Sequence, residues 1–306
     1  MNHSILLTFD VEDWFQVENF KQCIPFSAWP KCELRVEKNI HRILDLLDSI
    51  KLPSTDDSAL SPEQYRPIRA TFFVLGWIAE RLPHLVREIQ ARGHEIASHG
   101  YEHKLCKDQP VDDLKNDLDK SKKLLEHVTG NPVYGYRAPS FSIDHAALRI
   151  AKECGYLYDS SFNSFRLNRR YGQISLTNNG NNGVYHLISN NFYELPISNL
   201  KIGNQIVPWG GGGYFRLIPL LLFKKGVEKI LKKHGAYLFY LHPWEIDSDQ
   251  PKVEGIKILY KFRQYINISK TVDKFSNLLE NLVNCRFETC YQYLISHEAR
   301  KNANTL

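Results

Sequence analysis

Short apolar runs, several of them closing on a charged or imidazole side chain, alternate along this chain with amphipathic stretches of helical period. ILLTFD ends on Asp10 and HEIASH on His99; a short run precedes Arg137, YLYDS carries Asp159 near its end, and AYLFYLH closes on His242. ATFFVL, from Ala70 to Leu75, reads as a further buried strand. Between the runs, RVEKNIHRILDLLDSI repeats Val36, Ile40, Ile43, Leu44, Leu47 and Ile50 close to the 3.6 period, and IAERLPHLVREIQARG reads as one helix ended by Gly93. Further helices are predicted at VDDLKNDLDKSKKLLEHV, at IDHAALRIAKECG and after Pro219. This alternation predicts an α/β fold of βα units around a parallel sheet or barrel. In a β/α barrel the C-terminal strand ends share one face, so residues far apart in sequence are expected to converge there.

The rhythm resumes directly after the polar, proline-bearing segment near 51–68, which reads as an insertion within a single domain spanning 1–306. The region after about 245, with the helical pattern SKTVDKFSNLLENLVN, reads as a C-terminal extension of the same domain. A net charge of +5 on scattered basic residues gives no reason to expect a nucleic-acid partner. Six cysteines, Cys23, Cys32, Cys106, Cys154, Cys285 and Cys290, show neither C-x-x-C spacing nor a framework, as expected of reduced thiols. The start MNHSILLTFD lacks signal-peptide features, which points to the cytoplasm. YFRLIPLLLF is too short to span a bilayer, which takes roughly 20 apolar residues; it reads as a core helix with a solvated basic face in KKGVEKILKK, the alternative being a helix resting on an anionic membrane surface.

Three carboxylates, Asp10, Glu12 and Asp13, crowd the end of the first strand in TFDVED. Alone they would be turn residues. Together with His99 and His103 in SHGYEH, four residues apart and able to face one way from a helical turn, they make a set of two imidazoles and one carboxylate that suits a metal with an open position. A second carboxylate beside that position can act as general base. His94 starts its strand and is given no role. Arg137 in YRAPSF can orient Asp10 and hold it ionised, and His242 in LHPWE is a candidate acid. In VPWGGGGYFR, four glycines flanked by Trp209, Tyr214 and Phe215 suggest a close backbone approach beside an aromatic wall of the kind sugar rings use.

TFDVED, SHGYEH, YRAPSF and FYLHPWE, in that order, resemble the motifs of the polysaccharide deacetylases, the NodB-homology carbohydrate esterases, over the stretch from Ser4 to about Trp244. DVEDWFQV, PWGGGGYFR and HPWEID further resemble the subgroup associated with exopolysaccharide biosynthesis and exosortase systems. The resemblance implies a distorted (β/α) barrel of about seven strands and metal-dependent removal of N-acetyl groups from amino sugars. By position it implies Asp10 as base, His99 and His103 as metal ligands, Arg137 as the residue orienting the base, and His242 as acid. Val11 stands where the common motif has a second aspartate, so the metal carboxylate is Glu12 or Asp13, with Glu12 favoured by count. Asp159 is the nearest match to an aspartate that assists the catalytic histidine.

The expected cofactor is a divalent metal ion, zinc foremost, and the expected partner an N-acetylated glycan. Phe141, Trp209, Gly212, Tyr214 and Trp244 are its expected contacts. A lipid-linked precursor, with peripheral membrane contact through LIPLLLFKK, fits a reaction met before export. The rival readings are an amidohydrolase on a small cyclic or carbamoyl amide, and a non-catalytic carbohydrate-binding protein. Oligomeric state is not legible.

Overall fold

Every residue of strand β1 (Ser4–Val11) is buried, as expected of a parallel strand with neighbours on both sides and cover on both faces. Its side chains alternate between two apolar clusters: Ile5, Leu7, Phe9 and Val11 enter the larger one, and Leu6 the smaller. The computed structural model describes residues 3–53, 65–176, 186–189 and 191–303. In it β1 pairs in parallel with β2 (Ala70–Val74), and the ladder continues in parallel through β3 (Glu95–Ser98), β4 (Gly135–Tyr136) and β5 (Tyr158–Asp159). Beyond β5 lies β7 (Phe192–Glu194), parallel to it, with β6 (His186–Ser189) antiparallel at the edge. On its other side β1 pairs with β10 (Ala236–Leu241), and β11 (Arg286–Phe287) also pairs with it. A separate hairpin joins β8 (Asn199–Ile202) to β9 (Gln205–Pro208).

This is the expected α/β architecture with a mainly parallel sheet, and among the described strands the barrel does not close: β6 and β10 end the strand order. Only isolated bonds approach the seam, such as Tyr240 N to Gly210 O at 2.7 Å and Leu238 N to the Ser198 hydroxyl at 2.9 Å. The main path holds eight strands, with β11 off it, against the seven expected. Of the insertion near 51–68, Leu52 and Arg66 form an isolated antiparallel bridge; residues 54–64 lie outside the described residues.

Helix α1 (Val36–Ser49) buries Val36, Ile40, Ile43, Leu44 and Leu47. The single helix expected over 78–93 is two, α2 (Gly76–Arg81) and α3 (Pro83–Ala91), because Pro83 supplies no N–H and starts a new helix at its first position. Then follow α4 (Val111–Thr129) and α5 (His145–Glu153), the latter capped by Asp144, which accepts from Ala147 N. The chain continues through α6 (Gly212–Leu217), α7 (Leu220–His234), α8 (Ile258–Tyr265), α9 (Thr271–Glu280) and α10 (Cys290–Ala303). The region after 245 is integral to the core: Phe275 of α9 stacks on Phe239 of β10 at 5.5 Å between centroids. The six cysteines are all free thiols.

Candidate active site

The two-residue period of the strands aims the site. Leu6, Phe73, Ala97, Tyr158, Ala236, Leu238 and Tyr240 fill the smaller apolar cluster on the inner face. Continuing that parity along β1 and past the strand ends leads from Leu6 to Thr8, Asp10 and Glu12, from Ala97 to His99, and from Tyr240 to His242. Because β10, β1, β2, β3 and β4 run in parallel, these ends lie at one edge of the sheet.

Arg137, fully buried just past β4, organises the surroundings of Asp10. Its Nη1 donates to Asp10 Oδ1 at 2.7 Å and to the Thr8 hydroxyl at 2.8 Å; Nε donates to Ser160 O and Nη2 to the Ser160 hydroxyl, both at 2.8 Å. The guanidinium is fixed on all sides and leaves Asp10 Oδ2 free, 3.8 Å from His242 Nε2.

Glu12, His99 and His103 gather beside it, each offering a ligand atom within 4.8 Å of the others. The turn that unites the histidines is not helical. Gly100 (φ 75°) and His103 itself (φ 53°) take left-handed conformations that fold the loop back and set the rings 5.3 Å apart between centroids. His99 Nδ1 faces Arg137 O at 2.8 Å. That contact fixes the ring with Nε2 available, the arrangement of metal-binding imidazoles. Glu12 Oε1 accepts from Trp244 Nε1 at 3.0 Å. Oε2 lies 2.8 Å from His103 Nε2 yet has no hydrogen bond, an orphaned buried oxygen facing imidazole nitrogen. A cation is what such a donor set lacks. Burial alone would raise the Glu12 carboxyl, but the close His103 and the charge of His242 hold it down at about 2. Burial outweighs the nearby carboxylates at His99 and lowers it to about 4, keeping the ring neutral.

Asp13 does not join this cluster. It accepts from Trp14 N, Arg35 N and Val36 N at 2.7–2.8 Å, capping the short turn after β1 and the start of α1. Burial raises its carboxyl to about 6 in spite of those bonds. Asp159 is also elsewhere. It accepts from Ser161 N and the Ser161 hydroxyl, and so shapes the loop whose Ser160 cradles Arg137; burial raises it, as burial and the Asp159 charge raise the adjoining Glu194. The carboxylate that meets His242 is Glu245, Oε1 to Nδ1 at 2.7 Å, itself gripped by Arg216 Nε at 2.7 Å. Burial opposes the charge on His242, but the Glu245 hydrogen bond and the charges of Glu12, Glu245 and Asp10 raise it to about 9. Both partners had a signal in sequence: Glu245 follows His242 at the spacing of a capping box, and Arg216 is a lone charge inside YFRLIPLLLF.

One cleft is lined by Asp10, Glu12, His99, His103 and His242, with Phe141, Tyr214 and Trp244 among its walls. Trp209 and Gly212 do not line it. Trp209 is buried, stacked on Phe223 at 5.6 Å, with Nε1 donating to Phe223 O. Gly211 and Gly212 approach β10, where a Cβ on Gly211 (φ 135°) would stand 1.9 Å from Tyr240 O, whereas Gly213 lines the cleft. Trp209→Ala is accordingly expected to destabilise the fold by about 3–5 kcal/mol while leaving KM for substrate unchanged, as denaturant unfolding and steady-state kinetics would check.

Residues 53–158 match the family described as Polysaccharide deacetylase, and residues 160–294 match a domain of unknown function, DUF3473. The peptidoglycan deacetylase-like protein FGM2 of Gibberella zeae is 37% identical over 93 residues, 30% of this chain and 28% of that protein. A peptidoglycan-N-acetylglucosamine deacetylase of Bacillus cereus is 36% identical over 93 residues, 30% of this chain and 43% of that one. The chain therefore spans less than half the length of either relative. A solved structure from Mycobacterium smegmatis, assigned as a polysaccharide deacetylase, superimposes with a TM-score of 0.60 over 97% of this chain and 91% of that one; at 18% identity this likeness is one of fold.

Proposed function

We propose that this chain, whose residues 53–158 match the polysaccharide deacetylase family, hydrolyses N-acetyl groups from the amino sugars of a glycan, in exopolysaccharide or cell-envelope synthesis, with both matched regions acting as one unit. What carries the reading is the meeting of Asp10, Glu12, His99, His103 and His242 in a single cleft. Its open, aromatic-walled shape suits sugar rings better than a small cyclic amide.

Glu12, His99 and His103 would hold a divalent cation, zinc by their donor types, which when bound polarises the acetyl carbonyl and lowers the pKa of water. Asp10 accepts the proton of the attacking water on Oδ2, since Arg137 occupies Oδ1. His242 donates from Nε2, because Nδ1 is held by Glu245, and its proton goes to the sugar nitrogen as the C–N bond breaks. Acetate and a free amino sugar result. Trp244, stacked on His242 at 5.0 Å, keeps the donor ring in plane with the cleft wall.

Acetate release from N-acetylated oligosaccharides, including peptidoglycan and chitin fragments, tests the reading. Turnover that disappears after exhaustive chelation and returns with zinc is expected. A protein that binds zinc stoichiometrically yet releases acetate from none of them would instead favour a carbohydrate-binding role.

A further inference from the structure

Helix α8 is turned inside out for a surface helix. Of its eight residues only Gln264 is buried, whereas Ile258, Leu259 and Phe262, spaced along one face, are 87%, 62% and 50% exposed. The junction of α6 and α7 does the same with Leu217, Leu221 and Leu222. These six account for nearly half of the thirteen large apolar side chains exposed among the described residues, so they form a concentration and not the usual scatter.

The two segments are tied together. Arg216 donates to the carbonyls of Arg263, Gln264 and Ile266 at 2.8–2.9 Å, and Asn267 Nδ2 donates to Arg216 O at 3.0 Å. Both reach the active cleft, whose mouth includes Leu217 and Arg263. On the adjoining loop Leu167 is 82% exposed, and Arg170 stands over the Tyr260 ring of α8 at 5.6 Å.

The same two segments carry Lys224, Lys225, Lys257, Lys261 and Arg263, next to these apolar residues in sequence and none of them in an ion pair among the described residues. The acids of residues 216–233 and 252–263 are only Glu228 and Glu254. A leucine-rich patch ringed by lysine is a poor protein interface, since lysine is depleted there. It is the pattern of a surface that sinks apolar side chains into a bilayer while cations meet anionic headgroups. No helix among the described residues is long and apolar enough to cross a membrane.

We propose that this face seats the protein on an anionic phospholipid bilayer, holding the cleft mouth at headgroup level. Resting on the deacetylase reading, it follows that the glycan taken is one attached to, or lying against, that membrane.

The test is co-sedimentation of the full chain with vesicles of phosphatidylcholine containing phosphatidylglycerol, beside vesicles of phosphatidylcholine alone. Binding to the anionic vesicles only is expected. It should weaken about 25-fold in the double variant Lys224→Ala, Lys225→Ala, at roughly fivefold per lysine, and at least about tenfold in Leu221→Ser, Leu222→Ser. Neither pair lines the cleft, so both variants should deacetylate a soluble oligosaccharide at the parental rate. Wild type remaining in the supernatant with anionic vesicles would overturn the proposal, as would variants that sediment like wild type. Lipid-free dimers abolished by the leucine substitutions, without vesicle binding, would assign the face to a second copy instead. Vesicle binding with no acetate release from any glycan would sink the deacetylase reading and leave the docking surface standing.

Discussion

His242→Ala is expected to slow acetate release by about 10²–10⁴-fold while leaving the fold and the bound cation intact. The imidazole is the one group in the cleft with a donor nitrogen near Asp10 and a dedicated carboxylate behind it. Its value of about 9 means that the protonated form persists well above neutral pH. Activity that needs this proton should therefore fall on the alkaline side as the imidazolium is lost. For stability the sign is the same. A folded-state value raised above the ordinary 6.5 contributes stability that is complete below about 6.5 and is lost as pH climbs through about 9. A cation on Glu12 neutralises one of the charges that support the imidazolium, so the alkaline limb of the loaded enzyme should lie lower than in the metal-free protein. Glu245→Gln should move that limb lower again, with a smaller loss of rate than His242→Ala. A pH–rate series on the zinc-loaded parent and the two variants reads the activity limbs, and pH-dependent unfolding of the loaded and metal-free protein reads the stability sign and the effect of the cation; an alanine variant working at close to parental speed would remove the histidine from the reaction.

The second large effect separates two adjacent carboxylates. Glu12→Gln should lose its stoichiometric zinc and at least about 10³-fold in rate, several kcal/mol of transition-state stabilisation vanishing with the ion. Asp13→Asn should keep the zinc and nearly all the rate. It should instead lose on the order of 1 kcal/mol of stability, because the side chain holds three backbone N–H groups at the entrance to α1. Metal analysis and thermal unfolding of the two variants give opposite patterns. If Asp13→Asn were the one to lose zinc, the cluster of Glu12, His99 and His103 would not be the metal site.

Much of this arrangement was legible from residue order because a strand has a strict period. Leu6, Thr8 and Asp10 must share a face, as must Tyr240 and His242, and parallel pairing then aligns their ends. What escaped reading depends on contacts that no local pattern carries. The spacing of His99 and His103 suits a helical turn equally well, and Gly100 decides otherwise through a left-handed backbone. Trp209 beside glycines looks like a ligand wall, but the same aromatic serves a core when Phe223 arrives from α7 to stack on it. Arg216 and Glu245 lie 29 residues apart, so their pairing becomes visible only once α6 is folded against the turn after β10. The gap between β6 and β10 is likewise a matter of which edge meets which.

The working parts are shared across the boundary at which the two matched families divide. Asp10 and Glu12 precede residue 53, His99, His103 and Arg137 belong to 53–158, and His242, Glu245 and Arg216 belong to 160–294. The later stretch is therefore no detachable accessory: it brings the proposed proton donor, and its β10 shares a ladder with the first strand of the chain. Under the proposed mechanism, exchanging either portion alone would strand half of the chemistry, and a recombinant chimera cut near residue 159 should inherit the cation cradle from one parent and depend on the other for every turnover.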